Sequence, residues 1–319
     1  MSILFVSILY LIIGFVVLVY GADFLVDGSS SLAKRLNIPV MIIGLTVVAF
    51  GTSAPELVVN IIAAVDGKGQ LPLANVIGSN IFNILGALGL TALICPFLVK
   101  KVSRRIDVPI AIFAAILLFS FAYLNMKLTR LEGVILLLCF IIFMAYTVVL
   151  TIRNKNTGGE DEIEIHDYTL GKSILLTLAG LLGLVLGGKL LVEGAVEIAL
   201  ELGVTERIVG LTVVSIGTSL PELMTSLVAA RKGNSDIAIG NVIGSNIINT
   251  FLVLGASTVI CPVNVSSANL MDLILNLVAV LLVIVFIYMS KARRMSRVKG
   301  AVLLSVYIGY MVYLVFQNI

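Results

Sequence analysis

Long apolar runs alternate with short polar breaks along the whole chain, at about 3–25, 39–64, 71–95, 106–125, 131–152, 172–192, 207–230, 236–260, 268–290 and 299–317. Each run is close to the ~20 residues that carry a helix across ~30 Å of hydrocarbon, so the pattern predicts an all-α membrane protein with ten transmembrane helices. The first run has no basic flank and no small-residue cleavage site, and is expected to stay as a helix rather than be removed as a signal. Polar residues enter the apolar pattern at two related places. The run IGLTVVAFGTSAPELVVN from Ile43 to Asn60 answers to VGLTVVSIGTSLPELMTS from Val209 to Ser226, and NVIGSNIFN from Asn75 answers to NVIGSNIIN from Asn241. Gly21 aligns with Gly187 and Pro96 with Pro262, so the offset stays at 166 residues without a gap. Five helices per half is an odd number, and two copies of such a unit must enter the membrane from opposite sides. The expected organisation is therefore two inverted five-helix repeats, residues 1–153 and 171–319, joined by a linker at 154–170.

Composition strengthens the membrane reading. Of 319 residues, 60% are hydrophobic and only 12% charged, and the mean hydropathy is +1.15, far from a soluble domain. The few charges report orientation. Ten alternating helices put Lys34, Arg35, Lys100, Lys101, Arg104, Arg105, Arg153, Lys155, Lys172, Arg231, Lys232, Lys291, Arg293, Arg294, Arg297 and Lys299 on one side, and only Lys68, Lys127, Arg130 and Arg207 on the other. Lys189 falls within a helix near its end, where snorkelling to the interface is the default. The basic side is expected to be cytoplasmic, with both termini outside and loop 154–169 inside. That loop carries Glu160, Asp161, Glu162, Glu164 and Asp167. It lacks EF-hand spacing and reads as a solvated connection. No basic stripe with aromatics points to nucleic acid, and no cofactor or obligate protein partner is evident. Cys95, Cys139 and Cys261 lie in apolar runs without CxxC spacing, and His166, the one histidine, lies in the linker, so a soft-metal site is disfavoured.

The duplicated motifs carry the candidate chemistry. In each, Gly-Thr-Ser-x-Pro-Glu interrupts a helix: Gly51, Thr52, Ser53, Pro55, Glu56, and Gly217, Thr218, Ser219, Pro221, Glu222. Proline lacks an amide hydrogen and its ring crowds the carbonyl four residues back, so oxygens near Ala49–Gly51 and Ser215–Gly217 are expected to lose helical partners. The following helix places Asn75, Ser79 and Asn83, and in the second copy Asn241, Ser245 and Asn249, at i, i+4 and i+8. At ~1.5 Å per residue from Leu71, Asn83 lies ~18 Å deep, near the bilayer midplane. Taken singly, proline kinks, back-bonded hydroxyls and helix-gluing amides are ordinary in membrane helices. Two glutamates without basic partners at equivalent places in inverted repeats are not. A charge at the membrane centre costs ~2.5–3.5 kcal/mol on insertion scales, and two carboxylates ~5 Å apart at an effective dielectric of ~20 repel by ~3 kcal/mol. A divalent cation, several monovalent ones or protons could relieve both. Carboxylates, amides, hydroxyls and carbonyls form an all-oxygen ligand set that suits Na+ or Ca2+, and its flexibility favours Ca2+ over octahedral Mg2+.

The two motif pairs resemble the α-repeats of the cation/calcium exchanger superfamily, in particular its sodium/calcium exchanger branch of prokaryotic type, over nearly the whole chain. The resemblance implies a cluster of Glu56, Glu222, Asn83 and Asn249, surrounded by Thr52, Ser53, Ser79, Thr218, Ser219, Ser245 and the carbonyls of Ala49 and Ser215. It implies an antiporter, not an enzyme, exchanging Na+ for Ca2+ by alternating access. The first and sixth helices, the latter glycine-rich at Gly180, Gly183, Gly187 and Gly188, would slide past the rest. Asn249 stands where relatives often have Asp, including the potassium-dependent branch, which speaks against K+ dependence. The proton/calcium branch differs at the first motif. A channel could use the same ligands but would keep a continuous wetted path. A membrane hydrolase would need a Ser/His or paired-Asp constellation that is missing at this depth.

Overall fold

The computed structural model describes residues 2–68, 70–99, 103–153, 166–203, 215–289 and 293–317. In chain order its helices are α1 (Ser2–Leu36), α2 (Val40–Thr52), α3 (Ala54–Val65), α4 (Gln70–Ile94), α5 (Val108–Asn125), α6 (Arg130–Arg153), α7 (Leu170–Glu201), the short α8 (Ser215–Thr218), α9 (Leu220–Arg231), α10 (Ser235–Ile260), α11 (Ser267–Met289) and α12 (Arg297–Gln317). Among the described residues, eight helices are long and apolar enough to cross a membrane, and the bent pair α2–α3 makes a ninth. The expected helix at 207–230 is described only as α8 and α9, because 204–214 lie outside the described residues. So does most of the linker, 154–165.

Two helices run well past their apolar windows. α1 has 35 residues and α7 has 32, ~50 Å each at 1.5 Å per residue, against the 3–25 and 172–192 that hydropathy delimits. Hydropathy marks where a helix meets lipid, whereas backbone hydrogen bonding continues as long as polar side chains find partners. Asp23 and Asp27 do so in α1. The two helices pack antiparallel along a seam of glycines. A Cβ on Gly21 would lie 2.7 Å from the Leu184 amide nitrogen, and one on Gly187 would lie 2.6 Å from that of Leu18. Only residues without side chains let two backbones approach so closely.

Four two-residue strands pair crosswise. β1 (Phe97–Leu98) runs antiparallel to β4 (Arg294–Met295), and β2 (Lys127–Leu128) to β3 (Val263–Asn264). β1 and β3 stand at the 166-residue offset, so each ribbon joins one half of the chain to the other. Polar contacts sort into two ends of the molecule in the same way. Arg35 meets Asp167 at 2.8 Å, and Lys232 meets Asp23 and Asp27. At the opposite end of the α1–α7 pair, Ser7 Oγ donates to Glu197 Oε2 at 2.5 Å. Helices α4 and α10 form the centre, with Ile77, Ile81, Ile84, Leu85, Ile243, Ile247, Phe251 and Leu254 all 1% exposed or less.

Candidate ion-binding site

The first interruption falls at Ser53 (φ −83°, ψ 2°), between α2 and α3, with a bend of 44°. The second falls at Ser219 (φ −96°, ψ 8°), between α8 and α9. Pro55 and Pro221 occupy the first turn of the helix that resumes, where a missing amide hydrogen costs nothing. Glu56 and Glu222 lie in those same first turns. A carboxylate there sits at the positive end of the helix dipole, while the segment before the break turns its negative end to the same place.

The two breaks face each other. Ser53 Oγ donates to Glu222 Oε1 at 3.3 Å, and Ser219 Oγ donates to Glu56 Oε1 at 3.4 Å. Thr218 also hydrogen-bonds Glu56, and Ser245 Oγ reaches Glu222 Oε1 at 3.4 Å. Thr52 Oγ1 lies 3.2 Å from the Ala49 carbonyl, 3.0 Å from Asn241 Oδ1 and 3.4 Å from Ser245 Oγ. Glu56, Glu222, Asn83, Asn249, Ser79, Ser219 and Ser245 are all fully buried. Each glutamate nevertheless keeps its Oε2 without a hydrogen-bond partner among the described residues, as do Ser79 Oγ and both amide atoms of Asn83 and of Asn249. Leaving a buried polar atom unpaired costs ~1–3 kcal/mol, more if charged. So many orphans on the residues of two repeated motifs make this the candidate ligand site.

Among the described residues neither glutamate pairs with Lys or Arg, and no three His, Cys, Asp or Glu side chains come together. The formal charge of the site therefore comes from two carboxylates, and every other oxygen is neutral. Such a set can dehydrate a hard cation without a cage of many carboxylates.

Two expectations change. The Ala49 carbonyl is not free: it accepts the Ser53 amide at 3.0 Å and lies within reach of Thr52 and Ser245 hydroxyls. Pro55 withdraws its amide from residue 51, four positions back, and leaves the bond from Ser53 to Ala49 intact. Ser215, the counterpart of Ala49, opens α8 one turn before Ser219. Asn83 and Asn249, moreover, sit in π-helical turns, Phe82–Ala87 and Asn249–Leu254. A π turn inserts a residue into the helical ladder and re-aims side chains, a feature common at functional sites.

Sequence reasoning placed Asn241 in the polar stripe without giving it a role. Its Nδ2 donates to the Glu222 carbonyl and to Ser226 Oγ, both at 3.0 Å, while its Oδ1 accepts from Thr52. It thus ties the first broken helix to the second. Asn80 and Asn246, counterparts by the 166-residue offset, meet between α4 and α10. Asn246 Nδ2 donates to the Asn80 carbonyl at 3.1 Å, and Asn80 Nδ2 to Thr250 Oγ1 at 3.0 Å. The repetition of whole motifs, rather than of glutamates alone, was the available signal for these amides.

Known proteins resemble the chain as a whole. A family model described as "Sodium/calcium exchanger protein" matches residues 6–149 and 172–316. The sodium/calcium exchanger MaX1 of Methanosarcina acetivorans is 32% identical over 97% of this chain and 98% of its own. The inner membrane protein YrbG of Escherichia coli is 36% identical over 79% of each chain. Among solved structures, the sodium-calcium exchanger NCX_Mj, soaked with Na+, superposes with a TM-score of 0.82 at 31% identity, covering 97% of this chain and 99% of that one. A helical membrane protein with paired α-repeat motifs, matched by this family over nearly its whole length, belongs to the sodium/calcium exchanger family.

Proposed function

We propose that this chain exchanges Na+ for Ca2+ by alternating access at the site formed by Glu56, Glu222, Asn83 and Asn249, with Thr52, Ser53, Ser79, Thr218, Ser219 and Ser245 as neighbouring oxygens. The Ser215 carbonyl completes the proposed set, whereas that of Ala49 already accepts the Ser53 amide. The observation that carries this reading is the reciprocal pair of buried carboxylates, each held on one oxygen by the other repeat's serine and, among the described residues, orphaned on the second. Two negative charges balance one Ca2+ or two Na+. An empty site would carry both charges through low dielectric, so the transition between inward and outward states is costly unless ions are bound, and exchange follows. Transported ions are the substrates, and the family is one of transporters rather than catalysts.

The same reading holds that the chain has ten transmembrane helices in two inverted repeats, 1–153 and 171–319, joined by a cytoplasmic linker at 154–170. The crosswise strand pairs and the sorting of polar contacts to two ends support it. The Lys232 end would be cytoplasmic, in a prokaryotic plasma membrane, with both termini outside.

Purified protein in vesicles decides the ion couple. An outward Na+ gradient, with K+ absent and the membrane potential clamped, should drive uptake of radiolabelled Ca2+, while a proton gradient alone should drive little. Uptake driven by protons and not by Na+ would move the chain to the proton/calcium reading. An absolute K+ requirement would refute the inference from Asn249. In intact cells an impermeant thiol reagent should label cysteines placed at Ser2 and Asn318, and not one at Gly158.

A further inference from the structure

At one end of the molecule, α1 is bound to the second broken helix by charge. Lys232, just past the end of α9, lies 2.6 Å from Asp23 Oδ1 and 2.7 Å from Asp27 Oδ1, two carboxylates one turn apart on α1. The three side chains are 30%, 42% and 20% exposed. Burial works against the lysine charge, but the hydrogen bonds and attraction of both aspartates outweigh it and hold Lys232 above the ordinary lysine value. Beside this cluster, Asn234 Nδ2 donates to the buried Ser30 Oγ at 2.7 Å.

The 166-residue offset carries this cluster to the opposite end. Asp23 corresponds to Lys189, Asp27 to Glu193, Lys232 to Asp66 and Asn234 to Lys68. The signs of the main pair are reversed but remain complementary: acid on α1 and base after α9 become base on α7 and acid after α3. Here these four side chains are 71%, 45%, 52% and 65% exposed, and among the described residues each is paired only with a near neighbour in the chain. Lys189 meets Glu193 at 3.7 Å, and Asp66 meets Lys68 at 3.7 Å.

We propose that these are two alternating latches: Lys232 with Asp23 and Asp27 holds the conformation seen here, and Lys189 with Asp66, flanked by Glu193 and Lys68, holds the opposite one. The proposal rests on the alternating-access reading. When the α1–α7 pair shifts against the broken helices, the ion pairs of one end open as those of the other close. Neither state is then left with an unpaired charge cluster, and the two stay close in free energy. Weakening one latch should populate the other state, because an equilibrium moves by the differential stabilisation of its two sides.

Full-length protein with Cys95, Cys139 and Cys261 replaced by Ser tests this in vesicles with a short bifunctional thiol reagent. The pair Asp66→Cys with Lys189→Cys should cross-link slowly, and adding Lys232→Ala should speed it about fivefold, corresponding to about 1 kcal/mol at 25 °C. Lys232→Arg, which keeps the charge, should leave the rate unchanged. Conversely, Lys189→Asp should speed cross-linking of Asp23→Cys with Lys232→Cys, and adding Asp66→Lys should restore the parent rate. If positions 66 and 189 never cross-link in protein whose cysteine-free parent exchanges ions, or if Lys232→Ala leaves their rate unmoved, the latches are wrong while exchange stands. A parent that cross-links as described but moves no Ca2+ would retain the latches and overturn the exchange reading.

Discussion

Helices α4 and α10 and helices α6 and α12 are all long and apolar enough to span a bilayer, yet they are built for opposite surroundings. In the most apolar 18-residue stretch of each, 78% of α4 and 94% of α10 is buried, against 22% of α6 and 17% of α12. The buried pair carries Ser79, Asn80, Asn83, Asn241, Ser245, Asn246 and Asn249, whereas α6 and α12 turn Leu131, Leu138, Ile142, Val298 and Phe316 outward. In water the apolar helices would be the inner ones. In lipid there is no hydrophobic force between helices, so polar and small residues specify the interior and apolar ones face out. The α4–α10 centre should therefore tolerate little change of chemistry, and the periphery a great deal.

The sharpest test of that contrast is the loss of charge at the centre. Glu56→Gln or Glu222→Gln keeps the volume and one carbonyl oxygen but removes a formal charge from a site with only two. Breaking a buried ionic interaction on one side costs ~3–5 kcal/mol, so Ca2+ uptake in vesicles should fall by ~100-fold or more. Neither glutamate has a basic partner among the described residues, so the variants should elute as folded protein and unfold at or above the parent temperature. Normal uptake by either one would remove the ion site from the position assigned to it.

The glutamates and the asparagines of the stripe were legible in the sequence because duplication turned single residues into pairs. What could not be read depends on which atoms meet across the halves. Asn241 belongs to the same stripe as Asn249, but one makes three hydrogen bonds and the other has both amide atoms unpaired among the described residues. The π turns at Phe82–Ala87 and Asn249–Leu254 arise where α4 and α10 pack against the rest, and no local residue type announces them. The true ends of α1 and α7 were hidden for a related reason. Lys232 neutralises Asp23 and Asp27 from the other half of the chain, more than two hundred residues away.

A middle-sized effect is expected at the seam between the two long helices. Gly187→Ala adds one methyl group, placed 2.6 Å from the Leu18 amide nitrogen and 2.8 Å from the Gly14 carbonyl. Backbone on both sides cannot yield as a side-chain tip would, so α1 and α7 must separate. Overpacking of this kind costs ~1–3 kcal/mol. The variant should unfold at lower temperature than the parent, and Na+-driven Ca2+ uptake should drop by several-fold because the pair no longer moves as one body. An unchanged unfolding temperature would mean that the seam is looser than drawn.

The smallest effect belongs to the same substitution at the edge of the molecule. Gly309 lies in α12, and a Cβ there meets no heavy atom within 4 Å. Alanine is favoured over glycine within a helix by ~0.5–1 kcal/mol, because glycine loses more backbone freedom on ordering. The Gly309→Ala protein should thus unfold slightly later than the parent, while Na+-driven Ca2+ uptake stays within experimental scatter of it. The pair Gly187→Ala and Gly309→Ala holds chemistry constant and varies only location, so the difference between their unfolding temperatures reads the packing of the α1–α7 seam directly. If Gly309→Ala instead impairs uptake as strongly as Gly187→Ala, α12 takes part in the transport movement or meets another molecule in the membrane, and the division into a specified centre and a permissive periphery fails at that helix.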